Sequence, residues 1–202
     1  VSGVAHEINN PLTSVIGFSD LLLQRDLPED VEADLKVVND EARRTALIVK
    51  NLLTFARKNS EGKTSVDIND NIQKVLALRE YEQKVNNIQV VLNLAPNLPK
   101  VFGNSSQLKQ VFFNIITNAE QAMTEAHKKG VLTITTEQVG GTTRVSFTDD
   151  GPGISPDNLK KLFTPFFTTK GVGKGTGLGL SICHGIITEH DGRIECKSEL
   201  GK

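Results

Sequence analysis

The stretch from Gly171 to Gly179 constrains the chain most, because glycine occupies every second position along it. The alternation ends where an apolar run with helical character, residues 180–183, begins. Glycines permit positive φ angles and leave backbone N–H groups exposed, and a helix that begins directly after them turns its positive end towards the same space. These features favour a bound anion, most simply a phosphate. For this stretch alone, an ordinary flexible loop is the competing interpretation.

Charge and hydropathy limit the partners that the chain can have. The net charge is -1, from 23 basic and 24 acidic residues without a block of like charge, so a nucleic-acid partner is not expected. The apolar runs are far shorter than the ~20 residues that span a bilayer, so we expect a soluble fragment without direct membrane contact. Cys183 and Cys196 lack metal-ligand spacing, which favours reduced thiols in the core of a cytoplasmic protein. Because the chain begins at Val1 inside a helical pattern, we expect it to be a piece of a longer protein.

The first sixty residues contain two long helical patterns. Apolar residues recur at helical spacing to about residue 24 and continue past Pro11, so we expect one helix with a bend near Asn10. After a polar turn at residues 25–30, apolar residues follow a heptad pattern as far as Ala56. Two helices joined by so short a turn pack antiparallel, and they carry more apolar surface than one hairpin can bury. We therefore expect residues 1–60 to form a homodimer with a four-helix bundle.

A polar stretch at residues 59–65 predicts a linker, which we place at 61–66, before a second domain at 67–202. In the second domain, some apolar residues recur at helical spacing and others alternate as in a strand. Helices are expected at residues 68–81, 105–123 and 181–189, and strands at 88–94, 132–137, 143–148 and 193–197. Ser105 or Ser106 is the expected N-cap of the long helix, and residues 157–176 are an expected mobile flap. The fold class is thus α+β, in which a helical hairpin precedes an α/β sandwich domain.

Asn114 and Asn118 lie four residues apart, so their side chains share one face of the predicted helix. Amide oxygens at this spacing can share a hard cation such as Mg²⁺, which keeps several waters and is usually completed by substrate phosphates. A surface or capping hydrogen bond is the alternative. The flanking sequence is apolar, however, and unpartnered amides there would be costly.

Asp149 follows a predicted strand and precedes Gly151 and Gly153. Such a carboxylate can accept a hydrogen bond from an exocyclic amine while the backbone bends around a flat ring, although a polar turn is the alternative. A P-loop is excluded by spacing, because Thr168 and Gly175 occupy the places where that motif needs Gly and Ser or Thr. A dinucleotide-binding fold is excluded because no strand precedes the glycines at the required distance.

Five motifs follow one another in a recognisable order. They are His6-Glu7-Ile8-Asn9-Asn10-Pro11-Leu12, Asn114-xxx-Asn118, Asp149-x-Gly151-x-Gly153, Phe163-Thr164-Pro165-Phe166-Phe167-Thr168-Thr169-Lys170 and Gly173-x-Gly175-x-Gly177-Leu178-Gly179. Their order resembles the H, N, G1, F and G2 boxes of the sensor histidine kinases of two-component signalling, whose ATP-binding domain is of the gyrase and heat-shock chaperone type. The first motif resembles the nitrogen-regulation subgroup.

The resemblance implies that His6 attacks the γ-phosphorus of ATP and then passes the phosphoryl group to an aspartate of a response regulator. Neutral imidazole is nucleophilic near pH 7, and Glu7 can orient it or take its proton. The resemblance also implies that Asn10 positions water for dephosphorylating the regulator. Upstream sensor segments would precede this fragment, and one more strand would follow it.

The resemblance implies an ATP site in the second domain. Asn118 would bind Mg²⁺ with Asn114 beside it, and Asp149 would read the adenine. Gly151 and Gly153 would line the base, and the phosphates would meet Lys170, Gly173, Gly175, Thr176, Gly177, Leu178, Gly179 and Gln121. Phe163, Phe166 and Phe167 would hinge an ATP lid, although a core role is the alternative for these rings. His127, His184 and His190 carry no motif and are expected to be surface or helix-end residues.

Two other functions compete with a histidine kinase. The related ATPases place a glutamate at the position of Asn114 to activate water, so asparagine there argues against hydrolysis as the main output. A non-catalytic dimeric scaffold is the second alternative. The presence of His6, Asn118 and Asp149 argues against a scaffold.

Overall fold

The computed structural model describes residues 2–56, 62–171 and 175–201, without the side chains of residues 2–9, 44, 47, 48 and 50–56. The chain divides into two compact units. The first unit comprises Val1–Lys58 and Thr164–Leu178, and the second comprises Asn59–Phe163 and Gly179–Lys202.

Two long helices make up the N-terminal part of the first unit. Helix α1 spans Ser2–Leu23 and continues through Pro11, and helix α2 spans Glu29–Ala56. The first turn of α2 carries Glu29, Asp30 and Glu32, whose negative charges stabilise the positive end of the helix. The two helices pack against each other. The prediction of two helices from the apolar periodicity is therefore confirmed.

A buried polar layer crosses the contact between α1 and α2. Ser19 and Asn39 are both buried, and Asn39 Nδ2 donates to Ser19 Oγ at 2.7 Å and to Asp20 Oδ1 at 2.8 Å. Arg43 Nε donates to Asn39 Oδ1 at 2.7 Å, and Arg43 Nη2 donates to both oxygens of Asp20. Because sliding one helix along the other would leave buried polar atoms without partners, this layer fixes the register of the hairpin.

The charged end of this layer predicts a dependence of stability on pH. Hydrogen bonds from Arg43 and then Asn39 lower the pKa of Asp20. Because the folded pKa lies below the unfolded value, this stabilisation is present above the ordinary pKa of about 4 and is lost as the pH falls through the folded value. We expect Asp20→Asn to lower the melting temperature at pH 7 but hardly at pH 3, as measured by circular dichroism. Asp34→Asn, at an exposed position of α2, is the control, and an equal effect of Asp20→Asn at both pH values would contradict the interpretation.

The second unit combines helices with two small sheets. Its elements are β1 (Thr64–Val66), α3 (Ile68–Val85), β2 (Ile88–Leu94), β3 (Val101–Gly103), α4 (Ser105–His127), β4 (Gly130–Val139), β5 (Thr142–Asp149), α5 (Pro156–Leu159) and α6 (Gly179–Glu189). Strands β2, β4 and β5 form one sheet in the order β2-β4-β5, with β2 parallel and β5 antiparallel to β4. Strands β1 and β3 form an antiparallel pair. The predicted mixed sheet and the α+β fold class are confirmed.

The core of the second unit lies between its helices and β4. Along β4, Leu132, Ile134 and Thr136 are buried on alternate positions, as expected for a strand with one face against helices. Among the described residues, the largest fully buried side chains come from four elements: Ile72 of α3, Val111, Ile116 and Met123 of α4, Leu132 and Ile134 of β4, and Cys183 of α6. Helix α4 packs against α3, β4 and α6, which places it at the centre of the unit.

The N-cap prediction for α4 is wrong by one residue. Asn104 is the N-cap, since its backbone is extended and its Oδ1 accepts the Gln107 N–H at 3.0 Å. Ser105 already lies inside the helix, and its hydroxyl donates instead to Asn71 Oδ1 at 3.0 Å. Asparagine caps a helix as well as serine does, so local sequence alone left the choice open.

The prediction of a strand at residues 193–197 is also wrong. The described residues after α6 contain no strand, because a strand requires a hydrogen-bonded ladder with a neighbour as well as alternating apolar residues. This segment bonds to the loop after β5, where Ile154 N donates to Ser198 Oγ and Gly201 N donates to Pro152 O, each at 2.9 Å.

Two short elements lie where irregular structure was expected. Strand β1 begins at Thr64, inside the predicted linker, because β3 offers it an antiparallel partner. Helix α5 lies at the start of the predicted flap, where Ser155 caps it by accepting the Asn158 N–H at 3.4 Å. Neither element is long enough to show a period in the sequence.

Candidate functional site

One face of α4 carries Asn114, Asn118 and Ala122, which are spaced four residues apart. Asn114 Nδ2 donates to the carbonyl of Gly179 at 3.2 Å. A Cβ placed on Gly179 would lie 3.9 Å from both Asn118 Nδ2 and Asn114 Cγ. The structure therefore brings both asparagines to the first residue of α6.

The beginning of α6 faces this pair of amides. The first N–H groups of an α-helix have no partner within the helix, and the helix dipole makes this end positive. The buried Cys183 holds α6 against α4, since its Sγ donates to Val111 O at 3.8 Å. Two neutral amides beside a positive helix end form a site that suits an anion and its accompanying cation.

Asp149 ends β5 and is held close to the same face of α4. Gly151 N donates to Asp149 Oδ1 at 3.0 Å. A Cβ on Gly151 would lie 2.7 Å from that oxygen and 3.4 Å from the Cβ of Ala122. Because residue 151 has no side chain, the turn after β5 fits against α4 one turn beyond Asn118.

The neighbouring carboxylate, Asp150, has a structural partner. Its Oδ1 accepts the N–H of Val131, in β4, at 2.8 Å. This bond ties the end of β5 to the beginning of β4. Both aspartates are exposed, and their hydrogen bonds distinguish them: Asp150 bonds to β4, whereas Asp149 bonds to the N–H of Gly151 in the glycine turn.

Gly153 has a packing role that the sequence did not reveal. Its φ angle is +74°, and a Cβ built on it would overlap the carbonyl of Glu199 and lie 3.0 Å from Leu200 Cα. The sequence resemblance assigned Gly153 only to the base. The structure shows that backbone from the end of the chain occupies the space where a side chain would be.

The lid segment, Thr164–Leu178, belongs to the first unit. A Cβ on Gly175 would lie 2.8 Å from Thr168 Oγ1 and 3.3 Å from Lys170 Cδ. At Gly177, where φ is +66°, a Cβ would lie 2.6 Å from Phe166 O. These two glycines therefore let the two ends of the lid segment approach each other closely.

The remaining predicted residues of the glycine motif are described in part. Thr176 Oγ1 accepts the N–H of Leu178 at 3.4 Å, and Leu178 is buried. Lys170 is half-buried, and its N–H donates to Thr168 Oγ1 at 3.2 Å. Gly173 lies outside the described residues.

His6, Glu7 and Asn10 lie within helix α1. The side chains of His6 and Glu7 lie outside the described part of the structure. Asn10 is exposed, and its carbonyl accepts the Ser14 hydroxyl at 3.3 Å, one turn later. Glu7 and Asn10 are three residues apart along this helix.

A buried ion pair stabilises α4 next to Asn118, and the motif search missed it. Glu120 is buried and accepts from Arg79 Nη2 and from Gln83 Nε2, both at 2.7 Å. The Arg79 guanidinium also lies 5.7 Å from the centre of the Phe113 ring. The signal in the sequence was a glutamate four residues after Ile116 and three before Met123, on the apolar side of the helix, because a buried carboxylate needs a partner.

His190 is also more than a surface residue. Asn104 N donates to His190 Nε2 at 2.9 Å, which leaves Nδ1 to donate to Ile186 O at 2.8 Å. The half-buried ring thereby joins the end of α6 to the beginning of α4. The expectation of a helix-end residue is confirmed, but its tertiary contact could not be predicted from spacing.

The prediction of core thiols is confirmed for the buried Cys183 and is wrong for Cys196, which is exposed, so the two thiols are expected to differ in reactivity. Burial raises the pKa of Cys183 to about 12, whereas Cys196 is exposed and its pKa is raised first by partial desolvation and then by Asp149. Because the thiolate is the reactive form, we expect iodoacetamide to alkylate Cys196 at least about tenfold faster than Cys183 at pH 8. Peptide mapping of the native chain measures both rates. Equal alkylation of the two cysteines would contradict the buried position of Cys183.

Two features are absent from the described residues. No group of three or more His, Cys, Asp or Glu side chains among them is placed to hold a metal ion. No helix within the described ranges is both long and apolar enough to cross a bilayer.

Family models match most of the chain. Residues 1–61 match the His Kinase A (phospho-acceptor) domain. Residues 103–202 match the histidine kinase-, DNA gyrase B-, and HSP90-like ATPase family.

Individual proteins give the same result. The sensor histidine kinase ZraS of Escherichia coli (strain K12) is 36% identical over 203 residues, which cover all of this chain and 42% of ZraS. The structure of full-length ShkA in complex with AMPPNP is 25% identical, with a TM-score of 0.72, over all of this chain and 43% of that one. The structure of the histidine kinase ThkA in complex with the response regulator protein TrrA is 31% identical, with a TM-score of 0.65, over 95% of this chain and 54% of that one. The chain thus spans about two fifths of the length of ZraS, and it belongs to the sensor histidine kinases of two-component signalling.

Proposed function

We propose that this chain phosphorylates His6 with ATP and passes the phosphoryl group to an aspartate of a response regulator. The observation that carries this proposal is the convergence of Asn114, Asn118 and the beginning of α6 on one face of α4, with Asp149 one turn further along. An adenine ring and a triphosphate need these two kinds of environment, a carboxylate for the exocyclic amine and a positive helix end for the phosphates.

The base and the phosphates can be assigned to different ends of this face. The turn from Asp149 to Gly151 lies against Ala122 and offers a carboxylate beside exposed backbone, which suits the adenine. The beginning of α6 and the two asparagines suit the phosphates. Lys170 and the glycines of the lid segment would supply a cation and further N–H groups.

The donor set fits Mg²⁺ that is held mainly by phosphates. Asn118, with Asn114 beside it, offers neutral amide oxygens, and Mg²⁺ keeps most of its ligands from water and phosphate. When bound, the ion neutralises charge on the phosphates. The two asparagines themselves orient the triphosphate against α6, and Asn114 does so while its amide nitrogen holds Gly179.

The transfer step balances without a further reactant. A ring nitrogen of His6 forms a bond to the γ-phosphorus as the bond between that phosphorus and the bridging oxygen breaks, and ADP leaves with the electron pair. The proton of the imidazolium that forms passes to Glu7 or to water. Such a step depends on positioning and charge neutralisation rather than on covalent help from the protein.

The first unit supports a second copy of this chain as a partner, and a relative supports a response regulator. Along α1, Val15, Phe18 and Leu22 are exposed at positions that share one helix face, which supports a homodimer through residues 1–60. The complex of ThkA with TrrA supports a response regulator as the phosphoryl acceptor.

Residues 67–202 would form the ATP-binding domain, with a linker at 61–66 that is shortened by β1. The two free cysteines support a cytoplasmic location.

Asn10 gives the proposed kinase a second activity, the dephosphorylation of the regulator. Its exposed amide, one turn after Glu7, can hold a water molecule for attack on the phosphoaspartate. Asn10→Ala is then expected to slow regulator dephosphorylation and to leave autophosphorylation intact. Unchanged dephosphorylation would remove this part of the proposal.

Labelled ATP with Mg²⁺ tests the main proposal. We expect label on the protein that is lost in acid and stable in alkali, and that is absent in His6→Ala. Free phosphate without labelled protein would instead support an ATPase, although Asn114 replaces the glutamate that the related ATPases use. The absence of both labelled protein and free phosphate would support a scaffold. Either of these two results would overturn the kinase proposal.

A further inference from the structure

Two hydrogen bonds join the loop after β5, residues 150–154, to a distant part of the second unit. Ile154 N donates to Ser198 Oγ, and Gly201 N donates to Pro152 O, each at 2.9 Å. The loop therefore donates one of these bonds and accepts the other. Because they engage the loop at two points, they limit its rotation as well as its displacement.

Between these bonds, the loop and residues 198–201 are in direct backbone contact. A Cβ on Gly153 would overlap the carbonyl of Glu199 and would lie 3.0 Å from Leu200 Cα. The contacts follow one another in opposite order along the two segments, so the segments lie side by side and run antiparallel. We call residues 150–154 the base loop and residues 198–201 the clasp segment.

The beginning of the base loop is tied to Asp149. Gly151 is buried, and its N–H donates to Asp149 Oδ1 at 3.0 Å. A Cβ on Gly151 would lie 3.4 Å from the Cβ of Ala122, in α4. The position of Gly151 therefore affects both the direction of the Asp149 carboxylate and the distance between the turn and α4.

The hydroxyl of Ser198 fixes the far end of the base loop. Ser198 and Ile154 are both half-buried, and a backbone N–H that is removed from water costs free energy when it has no acceptor. The bond between Gly201 and Pro152 uses backbone on both sides. The bond to Ser198 depends on a side chain, so one substitution can remove it.

We propose that Ser198 is a positioning residue, which holds the base loop through the N–H of Ile154 and thereby keeps Asp149 in the direction that reads adenine. Without the hydroxyl, the base loop samples more positions, and these must be given up when nucleotide binds. Ser198 acts through the backbone of the base loop and not on the phosphates. The inference rests on the proposed ATP-binding function.

The test compares Ser198→Ala, which removes the hydroxyl, with Ser198→Thr, which keeps one. In calorimetric titration we expect Ser198→Ala to bind ATP about fivefold more weakly, the usual effect of losing one hydrogen bond. ADP is expected to lose affinity by the same factor, because the two nucleotides share the base and differ only in a phosphate. The preference for ATP over GTP is expected to fall, since a misdirected carboxylate distinguishes an amine from a carbonyl less well.

Amide hydrogen exchange without nucleotide measures the hold on the base loop directly. In Ser198→Ala we expect exchange at Gly151 and Ile154 to rise by about fivefold, with exchange in β4 unchanged. Ser198→Thr is expected to restore the exchange, the affinity and the preference for ATP. A role of Ser198 in overall stability alone would leave that preference unchanged.

Ser65→Ala is the matched control, since it makes the same change at an exposed position of β1. It is expected to match the wild type in affinity and in exchange. The proposal is overturned if Ser198→Ala binds nucleotides as the wild type does, if it weakens ATP more than ADP, or if Ser198→Thr is as impaired as Ser198→Ala. Wild-type protein that binds no ATP would refute the proposed function instead, whereas the exchange measurement needs no nucleotide.

Discussion

Replacing Asp149 by asparagine is expected to weaken ATP binding by about 100-fold or more. The carboxylate of Asp149 is an acceptor on both oxygens, and one of them already accepts the Gly151 N–H at 3.0 Å. An asparagine can keep that bond with its oxygen, so the turn should survive. Its amide nitrogen would then direct two donors towards the exocyclic amine of adenine, where a carboxylate offers an acceptor.

Calorimetric titration with ATP and ADP measures this loss directly. The preference for ATP over GTP is a second measurement, because the aspartate should distinguish an exocyclic amine from a carbonyl. We expect the wild type to prefer ATP and Asp149→Asn to lose most of that preference. A variant that keeps wild-type affinity and preference would show that Asp149 does not read the base.

Asp150→Asn is the control for this prediction, because it makes the same change at the neighbouring residue. The carboxylate of Asp150 accepts the Val131 N–H at 2.8 Å, and an asparagine oxygen can accept the same bond. We therefore expect affinity for ATP within about twofold of the wild type. Equal losses in the two variants would indicate damage to the end of β5 rather than loss of base recognition.

Replacing Gly153 by alanine is expected to lower the free energy of unfolding of the second unit by about 4 kcal/mol. Two causes add. The φ angle of +74° disfavours any residue with a side chain, and the new Cβ would overlap the carbonyl of Glu199. Backbone cannot move aside as a flexible side chain can, so either the loop after β5 or the segment at Glu199 must shift. Urea denaturation measures the change.

Gly141→Ala separates the two causes. Gly141 has a similar φ angle of +81°, but a Cβ there would have no heavy atom within 4 Å. This variant should therefore cost only the backbone term, about 1 kcal/mol. If Gly153→Ala cost no more than Gly141→Ala, the close approach of Glu199 to Gly153 would be wrong.

The sequence predicted well those elements whose apolar pattern repeats several times. The heptad in α2 and the apolar positions of α4 repeat over several turns, so each helix showed its buried face many times. Strands β4 and β5 were predictable as a hairpin because Gly140 and Gly141, both with positive φ, separate two runs of strand-forming residues.

Elements that depend on a distant partner were not predictable. Strand β1 exists because β3 pairs with it, and residues 193–197 fail to form a strand although their local pattern favours one. Asn104 rather than Ser105 is the N-cap, and the Ser105 hydroxyl bonds to Asn71 of another helix instead. Each outcome rests on a contact between residues far apart in the chain.

The candidate site likewise has features that were predictable from the sequence and features that were not. The spacing of Asn114 and Asn118 placed both amides on one face, and the structure adds their approach to Gly179. The packing of Gly153 against Glu199 and the ring contact of His184 with Phe163 have no signal in the spacing of motifs. Sequence therefore indicated which residues carry chemistry, whereas the structure showed which residues hold them.

The proposed kinase activity requires that phosphate from ATP becomes bound to His6. Tandem mass spectrometry of peptides prepared at neutral to alkaline pH, after incubation with ATP and Mg²⁺, tests it most directly. We expect one phosphorylated residue, His6, on a peptide from α1, and no phosphopeptide in His6→Gln. Phosphate on another residue, or ATP turnover that leaves His6 unmodified, would contradict it.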